Sequence, residues 1–245
     1  MVVARARKII MNRLFTFGCS YTSYVWSTWA DILSYQAQEF HNWGRVGAGN
    51  HYILNSVYEC NQRNQFKPGD TVIVCWTNTA REDRYVDRNW VTPGNVYTQG
   101  TYPRDWVKRW IDERGCMVRD FAFISAVKTL LEHTGVSWHF LSMVPMHQAD
   151  QYQDTDHNPD YDVLKLYQNV LDTVKPSFKE VIHDRIVIEY DMHHTPIEHL
   201  NYVERVLPQY PVSADTRLQI EQEDVKIRNG TYNRNHVSNT GIVRL

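Results

Sequence analysis

Residues 71–76, Thr-Val-Ile-Val-Cys-Trp, form an unbroken apolar and β-branched run that follows the turn Lys67-Pro68-Gly69-Asp70. A strand with one wet face alternates apolar and polar residues. A strand with no polar position must be covered on both faces, as in the interior of a parallel sheet. The rest of the chain supplies partners for such a strand. Residues 14–17 and a short stretch near 40–42 read as strands, as do 137–143 and 185–189. Helical patterns occupy 24–38, 51–63, 120–133 and 163–174, and Pro196 opens another that runs to about residue 210. Strands alternating with helices imply an α/β fold, a three-layer α/β/α sandwich of flavodoxin-like type. We expect a parallel sheet of about five strands with 71–76 central.

Residues 11–210 read as that domain. Residues 211–245 carry polar turns and no clear core face, and are expected to be a tail packing on the domain or on a partner. Residues 82–117 are polar, aromatic and rich in Gly and Pro, a long excursion with one short helix.

Composition narrows the function classes. The 245 residues are 42% hydrophobic and 22% charged, enough for a large core. A net charge of −2 gives no footing for nucleic acid or an anionic membrane as partner. No apolar run approaches the ~20 residues of a membrane span. The N-terminal residues lack the apolar core of a signal peptide, so a cytoplasmic setting is expected. The four cysteines show no Cys-x-x-Cys spacing, which suits buried thiols in a reducing compartment. Fifteen tyrosines and eight tryptophans suit packing, and equally surfaces that bind sugars or proteins.

In parallel α/β sheets, ligands bind at the carboxyl ends of the strands. Three such loops here hold chemistry. After the first strand comes Gly18-Cys19-Ser20. After the second comes Asn42-Trp43-Gly44-Arg45-Val46-Gly47-Ala48-Gly49-Asn50. After 71–76 comes Thr77-Asn78-Thr79-Ala80-Arg81. Near the C-terminus stands Asp191-Met192-His193-His194-Thr195-Pro196, followed by Glu198 and His199. Each alone has an ordinary explanation: a helix cap for Ser20, a turn amide for Asn78, a solvated pair for the histidines. Together, in this order, they resemble the SGNH hydrolases, also called the GDSL esterase/lipase family. The likeness is to divergent members of bacterial or phage type.

That resemblance implies Ser20 as nucleophile, the Ser20 and Gly47 N–H groups and the Asn78 amide as oxyanion hole, and an Asp191–His pair as base. Two registers are open. Asp-x-x-His selects His194; Asp-x-His selects His193, and fits Thr195-Pro196 and the helix behind it. The chain departs from the family at Cys19, where a non-catalytic Asp is usual, and at Trp76, where a Gly is usual. Trp76 and Arg81 are expected to line the substrate pocket. His147 and His157 are candidates for the same wall.

The chemistry is coherent apart from the family. A serine hydroxyl needs an imidazole to take its proton, and the imidazole needs a carboxylate to hold its tautomer. No cofactor and no metal are expected: His194, Glu198 and His199 approach an inverted zincin pattern, but Thr195 stands where His is required. The reading is a serine ester hydrolase removing a small acyl group, such as acetyl from a carbohydrate. The alternative is an SGNH-like structural or carbohydrate-recognition protein of little activity, for example a virion component. Expected partners are a small ester or acylated carbohydrate, and a second copy of the chain or virion proteins.

Overall fold

The computed structural model describes residues 11–98, 100–146, 161–183, 185–186, 188 and 191–232. Strands β1 (Met11–Phe17), β2 (Ala37–Asn42), β3 (Asp70–Trp76) and β6 (Ser137–Ser142) form a four-stranded sheet in the order β2-β1-β3-β6. Every pairing in it is parallel, with Leu14 opposite both Phe40 and Thr71, and Val74 opposite both Phe17 and Phe140. Strands β4 (Arg84–Val86) and β5 (Asn89–Val91) make a separate antiparallel hairpin. The expected strand at 185–189 falls partly outside the described residues. Of those described there, Ile188 makes only an isolated antiparallel bridge to Asp191.

The alternation along β3 shows why residues 72–76 are all apolar. Val72, Val74 and Trp76 enter a core with Phe17, Ile53, Phe121 and Phe140, while Ile73 and Cys75 enter a second core with Leu14, Leu33, Leu141 and Tyr202. The first core is covered by α2 (Asn50–Asn64), α4 (Glu113–Thr134), α5 (Tyr161–Leu166) and α6 (Gln168–Leu171). The second is covered by α1 (Trp29–Ser34), α7 (Phe178–Val181) and α8 (Pro196–Val206). This is the expected three-layer α/β/α arrangement. Helix α1, entered from β1, lies on one face, and α4, entered after β3, lies on the other. The carboxyl ends of β1 and β3 are therefore the topological switch point, the place at which such sheets bind ligands.

Local differences from the sequence reading have physical causes. Residues 24–28 are not helical. Trp26 is buried and donates from Nε1 to the His194 carbonyl at 2.8 Å, and Asp31 accepts from the Thr28 N–H at 2.9 Å, which starts α1 only at Trp29. Helix α4 starts earlier than expected, because the Asp112 carboxylate accepts from the Gly115 N–H at 2.6 Å and caps it. The excursion contains α3 (Arg104–Trp110) in addition to the hairpin. Residues 214–228 form helix α9 (Ala214–Arg228), packed on α8 through Thr216, Ile220, Asp224 and Ile227. Its buried stripe is half polar, which hides it from a hydropathy reading.

The end of β1 depends on Gly18. At φ +156°, a Cβ there would lie 2.1 Å from Thr22 Oγ1 and 2.9 Å from the Cys75 carbonyl oxygen. The threonine can rotate away, but the backbone of β3 cannot. Gly18→Ala is expected to destabilise the protein by about 2 kcal/mol or more in urea unfolding. A loss below about 0.5 kcal/mol would mean that β1 and β3 separate there freely.

Candidate active site

Ser20 lies in the turn that leaves β1, where Thr22 N–H and Ser23 N–H both donate to the Cys19 carbonyl at 2.9 and 3.2 Å. The turn is anchored from two sides. Asn42, at the end of β2, donates from Nδ2 to the Thr22 carbonyl at 2.8 Å, and the Thr28 hydroxyl donates to the same oxygen at 2.8 Å. Asn42 Oδ1 also accepts from the Gly44 N–H at 2.9 Å, so one amide joins the loops after β1 and β2. Ser20 is largely buried, 6% exposed.

Gly47 closes the next turn at φ +75°, where a Cβ would meet the Thr92 carbonyl oxygen at 2.1 Å. A glycine is thus required by positive φ and by the hairpin segment lying on it. Asn78, just past β3, is 2% exposed and its Oδ1 is buried without a partner. Among the described residues, the Ser20 N–H, the Gly47 N–H and the Asn78 amide nitrogen donate to no protein acceptor. A buried amide with an unmatched end is costly unless something else completes it.

The loop carrying Asn78 is held by residues that the sequence reading did not single out. Asn50, fully buried at the start of α2, accepts from Thr77 N–H at 3.0 Å and donates to the Thr77 carbonyl at 3.0 Å. Its Nδ2 also donates to Asp120 Oδ2 at 2.7 Å. Arg119 pairs with Asp120 at 2.7 Å and with Glu82 at 2.6 Å, and donates to the carbonyls of Thr79 and Arg81 at 3.3 and 3.0 Å. Burial pushes the Asp120 carboxyl up to about 7, against the pull of Arg119 and Asn50. Asp83 caps α2, accepting from Gly49 N–H at 2.9 Å and Tyr52 N–H at 2.8 Å. Only a polar residue next to the glycines of 44–49 hinted at Asn50; nothing local marks Asp120.

On the opposite rim, Asp191 Oδ1 lies 2.9 Å from His193 Nδ1 and also accepts the His193 backbone N–H at 2.9 Å. Tyr24 donates from its hydroxyl to Asp191 Oδ2 at 2.8 Å and stacks on the His193 ring at 3.8 Å between centroids. The imidazole is held by Nδ1 on the carboxylate and by one face on a phenol ring. Burial would raise the Asp191 carboxyl, but the donors from His193 and Tyr24 outweigh it and hold it below its ordinary value. Burial lowers His193, the Asp191 contact opposes this, and the charges of Arg81 and Arg185 lower it further; the net result is below 6.5. Ser20 and His193 are not hydrogen-bonded to each other. Their loops meet through Tyr21, whose ring centroid lies 6.3 Å from that of His193 and 5.3 Å from that of His194.

The other histidine is not placed with Asp191. His194 is 3% exposed, stacked on Phe178 at 5.5 Å, with Nδ1 3.4 Å from Glu198 Oε2 but without hydrogen-bond alignment. His193, in a bend held by its N–H on Asp191 Oδ1, takes the carboxylate with Nδ1 as well, while His194 turns into the packing of Phe178 and Tyr21. His199 is buried in the same apolar packing, which drives it well below its ordinary value and keeps it neutral. Glu198 instead caps α8, accepting the Thr195 N–H at 2.7 Å.

Trp76 corrects an expectation. It is fully buried with its ring edge-on to Phe140 at 5.5 Å, so it is part of the core and not an open wall. Arg81 donates to the Ala48 carbonyl at 2.8 Å, tying the loop after β3 to the loop after β2. Its positive charge is felt at His193 and Tyr21, which puts it on the site side of that tie. Cys19 is fully buried against Met143 Sδ at 4.0 Å. His147 and His157 lie outside the described residues. Among the described residues no group of His, Cys, Asp and Glu is arranged to hold a metal ion, and no helix is long and apolar enough to cross a membrane.

No protein-family model matches the chain, and no curated protein matches it. Among solved structures, it is similar to a GDSL-like lipase from Bacteroides thetaiotaomicron, with 13% identity and a TM-score of 0.41 over 86% of this chain and 88% of that one. A Bacillus subtilis protein shows 10% identity and a TM-score of 0.36 over 97% of this chain and 59% of that one. The chain thus spans little more than half of the second structure's length.

Three outcomes are expected. The His193 imidazole should titrate below 6.5 by NMR, lower still in Asp191→Asn and higher in Arg81→Gln. A normal or raised value in the wild type would mean that neither burial nor Arg81 acts on it. Asn50→Ala strands three buried hydrogen-bonding groups and should destabilise by about 2–4 kcal/mol in denaturant unfolding. Removing the exposed Arg63–Glu59 pair should change stability by less than about 0.5 kcal/mol.

Proposed function

We propose that the chain is a serine ester hydrolase of SGNH type. The observation that carries this reading is the Asp191–His193 pair, clamped by Tyr24, with the His193 ring 6.3 Å from that of Tyr21, the residue next to Ser20. In the proposed reaction, Ser20 Oγ attacks the ester carbonyl carbon while His193 Nε2 takes its proton. The charge that develops on the carbonyl oxygen is met by the Ser20 N–H, the Gly47 N–H and the Asn78 amide, which carry no other hydrogen bond. His193 then returns the proton to the departing alcohol, and water, activated by the same imidazole, releases the acid and restores Ser20. Asp191 stays ionised and holds the tautomer.

The lowered basicity of His193 supports this role, because a neutral imidazole is the competent base. Turnover should be flat near neutrality and fall only as pH drops through a value below 6.5, where His193 becomes protonated. The substrate in this reading carries a short acyl group such as acetyl on a carbohydrate alcohol.

The test is direct. A fluorophosphonate should label Ser20, and labelling should vanish in Ser20→Ala while the fold is retained. With an aryl acetate, Asn78→Ala should lower kcat about 10²-fold with a smaller change in KM, as expected of a group acting in the transition state. Labelling elsewhere, or an unchanged kcat in Asn78→Ala, would overturn the assignment.

A further inference from the structure

Beyond the switch point, the excursion builds a concavity. Helix α3 is attached to the body by Val107, which is 7% exposed, while Trp106 and Trp110, one turn apart, share another face of the helix. Trp110 leaves 62% of its surface open, an unusual exposure for an indole. With Arg84, Glu82 and the first turns of α4, the two indoles line a groove of about 550 Å³. That volume falls within the ~300–1,000 Å³ of small-molecule sites.

The groove is preorganised. Tyr102 stacks on Trp106 at 4.7 Å between centroids and donates to the Glu82 carbonyl at 2.9 Å, so the first indole has a backing plate. The Arg84 guanidinium lies 5.8 Å from the Trp106 ring. Glu82 divides its two oxygens between Arg84 at 2.7 Å and Arg119 at 2.6 Å. Asp112, the other acid on the wall, is committed to capping α4.

These commitments specify the ligand's chemistry. An anion would meet Glu82 and Asp112, and a cation would meet Arg84 and Arg119, so the lining carries two charges of each sign, while the Arg109 guanidinium lies on the Trp110 ring at 5.0 Å. The occupant is therefore uncharged. It offers a flat apolar face to an indole, and hydroxyl groups at its edge to a wall of charged donors and acceptors. A pyranose ring has this form: axial C–H groups on one face and equatorial hydroxyls around the rim. We propose that the Trp106–Trp110 groove binds a short, neutral oligosaccharide. Its inner wall is Arg119, which also carries the carbonyls of Thr79 and Arg81, so a saccharide held there lies behind the loop of Asn78. The proposal stands on the groove alone and does not require Ser20 to be catalytic.

The full-length Ser20→Ala protein, which cannot turn over an ester, separates binding from hydrolysis. It would be titrated with cellotetraose, chitotetraose, maltotetraose and mannotetraose, and with tetragalacturonate as the anionic counterpart, using tryptophan fluorescence and calorimetry. At least one neutral tetrasaccharide should bind with a Kd at or below about 1 mM. Trp110→Ala should weaken it at least tenfold, and Trp110→Phe should restore part of the loss. Because Trp110 is mostly exposed, its variants should keep the wild-type circular dichroism. Perturbation of the Trp110 indole N–H resonance in the unsubstituted groove gives a second readout. Three results would each overturn the proposal: no neutral sugar binding, binding that Trp110→Ala leaves unchanged, or binding of tetragalacturonate alone. Loss of aryl-acetate hydrolysis in the wild type would leave the groove proposal intact, and loss of sugar binding would leave the hydrolase reading intact.

Discussion

Asn50 gives both ends of its amide to the backbone of one residue, Thr77, and shares its remaining proton with Asp120. Thr77 is where β3 stops. Where residues 72–76 end in an apolar layer, the first residue beyond the strand must satisfy its N–H and C=O elsewhere or stay unpaired. Asn50 solves that problem from the neighbouring crossover. In doing so it fixes the distance between the loop after β2, which holds Gly47, and the loop after β3, which holds Asn78. Arg119 then takes the next two available carbonyls of the same loop, so the segment from Thr77 to Arg81 is bound along its length.

The consequence is a division of labour between the two sides of the site. The Gly47–Asn78 side is held by buried polar struts. The Asp191–His193 side is held by Tyr24 on Asp191, by Trp26 on the His194 carbonyl, by Glu198 on the Thr195 N–H and by the contact of Tyr21 with the histidine rings. Preorganised donors stabilise developing charge only if they need not reorient, whereas a base must swing between hydroxyl and leaving group.

Legibility in the sequence followed the range of the interactions. The apolar run at 71–76 announced the parallel sheet, because burial on both faces is written into the strand itself. Ser20 and Asn78 were visible as polar residues at the ends of apolar strands, and Asp191 with His193 as a local pair. What escaped was non-local. Asn50 acquires its meaning only from Thr77, and Asp120 only from Asn50 and Arg119. Helix 24–38 fails because Trp26 prefers a buried partner in the His194 carbonyl, a contact across the whole domain. Helix α9 hides because Thr216 and Asp224 are buried in it through hydrogen bonding rather than hydrophobicity. Trp76 misled for the opposite reason: a large residue in a site motif proved to be the last rung of the core.

The electrostatics of the site point the same way as its packing. His193 has one carboxylate beside it, and Arg81 and Arg185 acting from its other sides, so its charged form is disfavoured by burial and by two like charges. His199 is kept neutral by burial deeper in. A site that accepted a negatively charged ester permanently would pair it with Arg81; here the guanidinium already holds the Ala48 carbonyl, with its Nε left buried and unpaired. Its remaining charge acts at a distance and adds to the burial that lowers His193, so one guanidinium both ties two rim loops together and disfavours the charged imidazole across from them.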